Sequence, residues 1–251
     1  MAITPQIIIL TGLRAEADLL ERELTHRVEQ LVAGKRFVFG SFVDTPIAVT
    51  WTGMGKVNAA MITMLALQHF QPQALIATGI AGALHPDHLT GDVVLAERVI
   101  QYDYGELTAA GVQIRATKNP LTNEPNPLFF PADPQLIQCA TTQLNKIKLL
   151  QLSESQALRS PRIHVGVLVT GDSFAPLLVN RRALHEEFSA EAIDMESAAM
   201  AQVCWVQRMP FLAIRGISDT NDMALTQIQT YATLAMQNAV KLVANLLQYW
   251  R

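Results

Sequence analysis

The sequence predicts an α/β fold, three layers deep, with helices on both faces of a central mixed, largely parallel sheet. Three observations lead there. Strand-like and helix-like segments alternate along the chain, several strands are nearly continuous apolar runs, and 50% of the 251 residues are hydrophobic against 16% charged. A strand buried on both faces has no solvent side to supply polar residues, so it reads as an unbroken apolar run.

The first element is the β-branched run Gln6–Leu10, which stops at Thr11-Gly12 and gives way to the helical pattern Ala15–Leu24. Arg36–Gly40 and Ile47–Trp51 read as strands joined by a turn at Asp44-Thr45-Pro46. Gly53 and Gly55 break the chain before the helix Val57–Phe70. The short strand Ala74–Thr78 ends in Gly79-Ile80-Ala81-Gly82, and Asp92–Ile100 is the next strand. Residues 103–134 are rich in Pro and Asn, which favour turns; they read as a surface excursion from one domain spanning 1–251. There follow a helix from Pro134 to Lys146, the strand Ile163–Thr170, a short helix Ala183–Phe188 and a longer one Met195–Gln207. The strand Phe211–Ile217 and the terminal helix Gln227–Tyr249 complete the chain.

Bulk properties exclude several classes of function. A mean hydropathy of +0.20 excludes a disordered chain. With a net charge of -3 and no run of Lys or Arg, no basic footprint for nucleic acid or an anionic membrane is present. No continuous apolar stretch reaches membrane-spanning length, and no signal peptide is expected at the start. Cys139 and Cys204 sit in no metal or redox spacing, which fits a reduced cytoplasmic protein. The modest charged fraction is compatible with an oligomer that buries part of its exterior.

In a sheet of this kind, ligands bind outside the carboxyl ends of the strands. Those ends are polar or Gly-rich here: Thr11–Glu16, Thr78–Gly82, Thr170–Phe174 and Ile217–Asp222, with Ile193–Ser197 opening a helix. Glu16, Asp172, Asp194, Glu196 and Asp219 therefore gather at one edge. Each has an ordinary alternative. Glu16 can simply complement a helix dipole, Asp194 can cap a helix with Glu196 a charge in its first turn, and Asp219 can serve as an N-cap or turn residue.

In combination these segments resemble the nucleoside phosphorylase/nucleosidase superfamily, and within it the methylthioadenosine/adenosylhomocysteine nucleosidases. TGMGKVNAA, ATGIAGAL, GDVVLAERV, GVLVTGDSF and AIDMESAA with RGISDTND occur in the family's order, over about Ile7 to Leu246. The resemblance implies hydrolysis of the N-glycosidic bond of 5'-modified adenine nucleosides, with no cofactor, no metal and a homodimeric state. It gives Asp219 the part of proton donor to N7 of adenine and Glu16 that of the group handling the attacking water. Glu196 would accept hydrogen bonds from the ribose diol, with Met195 against the sugar and Arg215 in electrostatic support. Phe174 and Ala175 would form the adenine slot, joined by Ser218. Ile80, Ala81 and Gly82 would line the sugar and base, and Met54 with Leu13 the 5'-substituent.

Two rival readings share the fold. A phosphorylase needs a phosphate cradle, which in such relatives includes Arg near the first strand turn and before the Gly-rich segment. Here Ala77-Thr78 precedes Gly79, and Arg14 is the one cation that could challenge water as nucleophile. A non-catalytic, storage-type binder is the other rival, which retention of Glu16, Glu196 and Asp219 argues against. Gln101–Gly105 departs from the nucleosidase pattern, which leaves the preferred 5'-substituent open.

Overall fold

The computed structural model describes residues 4–109, 111–151, 159–173, 178–220 and 225–250. β1 (Ile7–Thr11) leads into α1 (Arg14–Glu23), then the antiparallel strands β2 (Thr25–Val32), β3 (Lys35–Phe42) and β4 (Thr45–Trp51). α2 (Lys56–Phe70), β5 (Ala74–Ala83) and β6 (Val93–Gln101) follow. The hairpin β7 (Gly105–Thr108) and β8 (Gly111–Ile114) precedes the two-residue β9 (Phe130–Pro131) and α3 (Pro134–Thr141). The chain ends with β10 (Ile163–Thr170), α4 (Leu178–Phe188), β11 (Ala190–Asp194), α5 (Ser197–Val206), β12 (Phe211–Asp219) and α6 (Leu225–Tyr249).

The sheet is mixed, as expected, in the order β11-β10-β6-β12-β5-β1-β4-β3-β2. β12, β5, β1 and β4 run parallel, as do β6, β10 and β11, while β6 meets β12 antiparallel. β11 also pairs antiparallel with the far end of β5, through Ala192 with Ala83 and Ile193 with Gly82. The sheet thus curls, bringing the ends of β1, β5, β11 and β12 together. Apolar side chains fill both faces: α2 and α5 cover one, while α1, α3 and α6 cover the other. No helix among the described residues is long and apolar enough to cross a membrane.

Several expectations need correction. β2 was not foreseen, because all its residues but Gln30 and Val32 are exposed and no apolar alternation marks it. It is an edge strand, and Ala33-Gly34, both at positive φ, close its hairpin. The next hairpin turns at Val43-Asp44, also both at positive φ, so Thr45 and Pro46 already belong to β4. β5 does not stop at Thr78 but runs through the Gly-rich segment to Ala83, hydrogen-bonded to β12 along that length. β11 was overlooked altogether, being only five residues long. α3 ends at Thr141, with a separate 3-10 turn at Leu144–Lys146, and α5 starts at Ser197, after Met195-Glu196. Within 103–134, Phe130 and Ala132 are buried, so the excursion is tied back to β6 at its far end.

Candidate active site

One cavity opens at the joined strand ends. Glu16, Glu196 and Asp219 all line it, although each is almost completely shielded from solvent. Ile80, Ala81, Gly82, Met54, Met195 and Ser218, all expected around a ligand, line it as well. So do Gly12, Leu13, Ser173, Arg181, Ile193 and Asp194. Phe174 and Ala175 lie outside the described residues.

Glu16 sits in the first turn of α1, and its helix-end role is realised there. Its Oε2 accepts the Leu13 N–H at 2.8 Å, closing the helix end, while Oε1 accepts the Ile80 N–H of β5 at 2.9 Å. The carboxyl therefore ties α1 to β5 across the cavity floor. Burial pushes its pKa up, against the opposing pull of Arg215 and the backbone donors. The chain needs glycine at position 79 for this approach, since a Cβ there would lie 2.4 Å from Arg215 Nη1 and 2.8 Å from Glu16 Oε1.

Arg215 does not line the cavity; it lies behind it, 1% exposed. Its guanidinium donates to Ser197 Oγ at 2.9 and 3.1 Å and to the Thr78 carbonyl at 3.2 Å. The pairing expected with Glu196 is the looser one: Asp194 Oδ2 is 2.8 Å away and Glu196 Oε2 3.6 Å. Asp194 is a structural clamp as well, accepting from Thr170 Oγ1 at 2.5 Å and from the Ser197 N–H at 3.2 Å. One cation thus faces the carboxyls of Glu16, Asp194 and Glu196.

Glu196 takes the consequence. Burial raises its pKa first, Arg215 opposes, and Asp194 and Glu16 add repulsion, leaving it pushed up to about 7. Its Oε1 accepts the Gly55 N–H at 3.1 Å, at the start of α2. A carboxyl that ionises less readily when folded stabilises the protein most below its ordinary pKa of 4.5, and that contribution is lost as pH rises through about 7. Glu196→Gln keeps the shape and removes the titration. Its thermal midpoint should therefore fall less than wild type's between about pH 5 and 8; parallel melting curves across that range would contradict the assignment.

Asp219 closes the other side. Ser218 Oγ donates to its Oδ1 at 2.8 Å, and Arg181 Nη2 donates to its Oδ2. Sequence reasoning missed Arg181, because the expected helix began at Ala183, five residues after α4 does, and nothing local relates it to a carboxyl 38 residues on. Asp172 is the opposite case. It stands at a strand end but turns away, accepting the Lys56 N–H at 2.7 Å and so capping α2.

Two other groups bear on the chemistry. Arg14 has a side chain 69% exposed, sits 3.9 Å from Asp18 and lies over the Trp51 ring, not in the cavity. Elsewhere, His88, Asp92 and His164 place potential metal-ligand atoms within 4.8 Å of one another. Asp92 is already occupied there by Arg159 at 2.6 and 2.8 Å and by the Leu89 and Arg162 N–H groups. The rings of His88 and His164 lie against each other, 4.0 Å between centroids and tilted by 38°. This is a partly buried ion-pair network centred on Asp92 at the start of β10.

Comparison with known proteins gives a consistent result. The family model described as the phosphorylase superfamily matches residues 6–248. The 5'-methylthioadenosine/S-adenosylhomocysteine nucleosidase of Mycobacterium tuberculosis is 32% identical over 222 residues, 87% of this chain and 86% of that protein. The protein of that name from Anoxybacillus flavithermus is 30% identical over 244 residues, 95% and 97% of the two chains. Among solved structures, the nucleosidase of that name from Colwellia psychrerythraea, in complex with adenine, superposes with a TM-score of 0.81 at 27% identity. It covers 98% of this chain and 96% of that one.

Proposed function

The chain belongs to the phosphorylase superfamily, and from that premise we propose that it is an N-glycosyl hydrolase releasing adenine from 5'-modified adenine nucleosides such as methylthioadenosine and S-adenosylhomocysteine. The observation that carries this reading is the meeting of Glu16, Glu196 and Asp219, from three distant segments, on one cavity.

In this reading a water oxygen bonds to C1' as the C1'–N9 bond breaks, its electron pair leaving with the purine. Glu16 takes the water's proton. Its raised pKa suits it to do so near neutral pH, where a base works best when its affinity for protons is not too low. Asp219 passes a proton to N7, so that adenine departs neutral. Glu196 accepts from the ribose diol, for which a carboxylate offers only acceptors. Leu13 and Met54, both partly exposed at the cavity, supply apolar contact for a 5'-thioether.

Water is favoured over phosphate by the charges. Among the described residues lining the cavity, Arg181 and no other is cationic, and it is bound to Asp219. Arg14 faces elsewhere, and the nitrogens of Arg215 are already engaged. The test is adenine release from methylthioadenosine in phosphate-free buffer. Release at a rate unaffected by added phosphate is expected; strict dependence on phosphate would make the protein a phosphorylase, and binding without turnover a binder.

The proposal extends to a homodimer in the cytoplasm. α2 exposes Val57, Met61 and Met64, the first two 78% and 59% accessible, at a spacing that aligns them on one helix face beside Met54. Met61→Asp should convert a two-chain species into a one-chain species in light scattering. A wild-type mass of one chain would remove the dimer from the reading. Cys139 and Cys204, both buried free thiols, suit a reducing compartment.

A further inference from the structure

We propose that Arg181 is a positioning residue for the reaction, acting through Asp219: it stabilises the carboxylate left behind when the proton passes to the departing base. The inference rests on the proposed hydrolysis and adds a residue that the family motifs quoted above do not contain.

The geometry is specific. Arg181 projects from α4 and is 4% exposed, with its guanidinium spanning the end of β5. Nη2 donates to Asp219 Oδ2, and Nη1 donates to the Ala83 carbonyl at 3.2 Å. The strand leaves room for it because residue 82 is glycine: a Cβ there would sit 3.0 Å from Arg181 Nη1 and 3.1 Å from Asp219 Oδ2. The helix is itself anchored. His185, one turn further along α4, bonds the Ala190 carbonyl through Nδ1 at 2.9 Å, while Leu184 and Phe188 pack on the cluster that includes Leu84 and Ile193. Arg181 therefore reaches Asp219 from a fixed support.

The chemistry follows from charge. When Asp219 gives its proton to N7, the C1'–N9 electrons leave with the purine and the negative charge stays on Asp219. In a shielded site that charge needs a nearby cation, and Arg215 is committed to the other three carboxyls. Ser218 Oγ contributes one neutral hydrogen bond to Oδ1. Arg181 contributes the charged one, which belongs to the stronger class of hydrogen bond.

The experiment compares wild type, Arg181→Met and Arg181→Lys on methylthioadenosine, each checked for fold by circular dichroism. Arg181→Met should lower kcat roughly 10- to 100-fold, the worth of one charge-assisted hydrogen bond. Arg181→Lys should recover part of that loss. In an Asp219→Asn background, Arg181→Met should cost little more, as expected of two residues acting as one unit. An unchanged kcat overturns the inference, as does a loss of kcat without any recovery by lysine or with full additivity, which would mean a purely structural residue. Wild type that releases no adenine defeats the functional reading itself, an outcome separate from any behaviour of Arg181.

Discussion

Asp219→Asn should lower kcat for adenine release by about 10²–10⁴-fold, the usual cost of losing a general acid. The side chain keeps its size, so the effect reports chemistry more than packing. An asparagine carbonyl can still accept from Arg181 in place of Oδ2. Its amide would then face Ser218 Oγ, which has a second partner in the Ala81 carbonyl at 3.3 Å and can turn to accept. The fold should survive, because the asparagine keeps both hydrogen-bond partners of the carboxyl, Arg181 and Ser218. Steady-state rates with melting curves separate chemistry from packing. A folded variant retaining more than about a tenth of wild-type kcat would take the proton-donor role away from Asp219.

Glu16→Gln is expected to have the second largest effect, a loss of roughly 10²–10³-fold in kcat with ligand affinity largely kept. Both carboxyl oxygens accept backbone N–H groups, from Leu13 and from Ile80. A glutamine can satisfy only one of them and turns its own amide toward the other donor, so some loosening between α1 and β5 accompanies the loss of the base. The wild-type pH profile distinguishes these causes. A base must be ionised to act, and burial raises the pKa of Glu16, so activity should fall on acidification at a pH above the ordinary glutamate value of 4.5. An acid limb at or below that value, or full activity in the glutamine variant, would reassign the water-handling group.

The readable parts of this molecule were those with a local cause. Ile7–Leu10 announces a buried strand because every side chain is apolar, and Phe211–Ile217 because Arg215 is its one polar side chain; the structure buries both segments throughout. β2 stayed hidden because an exposed edge strand has little reason to be apolar on either face. β11 is short and runs almost directly into the segment ahead of α5, so its residues read as the approach to a helix. The carboxyls came from the strand-end rule and their roles from motif order, and the same rule that placed Glu196 and Asp219 at the cavity also proposed Asp172, which caps α2 instead.

The amino-acid sequence by itself determined the alternation of strands and helices, the two-sided burial of the sheet, and the three acidic side chains at its strand ends. Period, composition and Gly placement act over a few residues, and those features depend on nothing longer. Only the tertiary structure decided which of these groups meet. β5 lies between β1 and β12, which sets Gly79 opposite Arg215 and Gly82 opposite Asp219. That pairing put Arg215 behind the cavity and brought Arg181 across from α4 to Asp219. Strand order and register join residues far apart in the chain, and no local pattern carries that information.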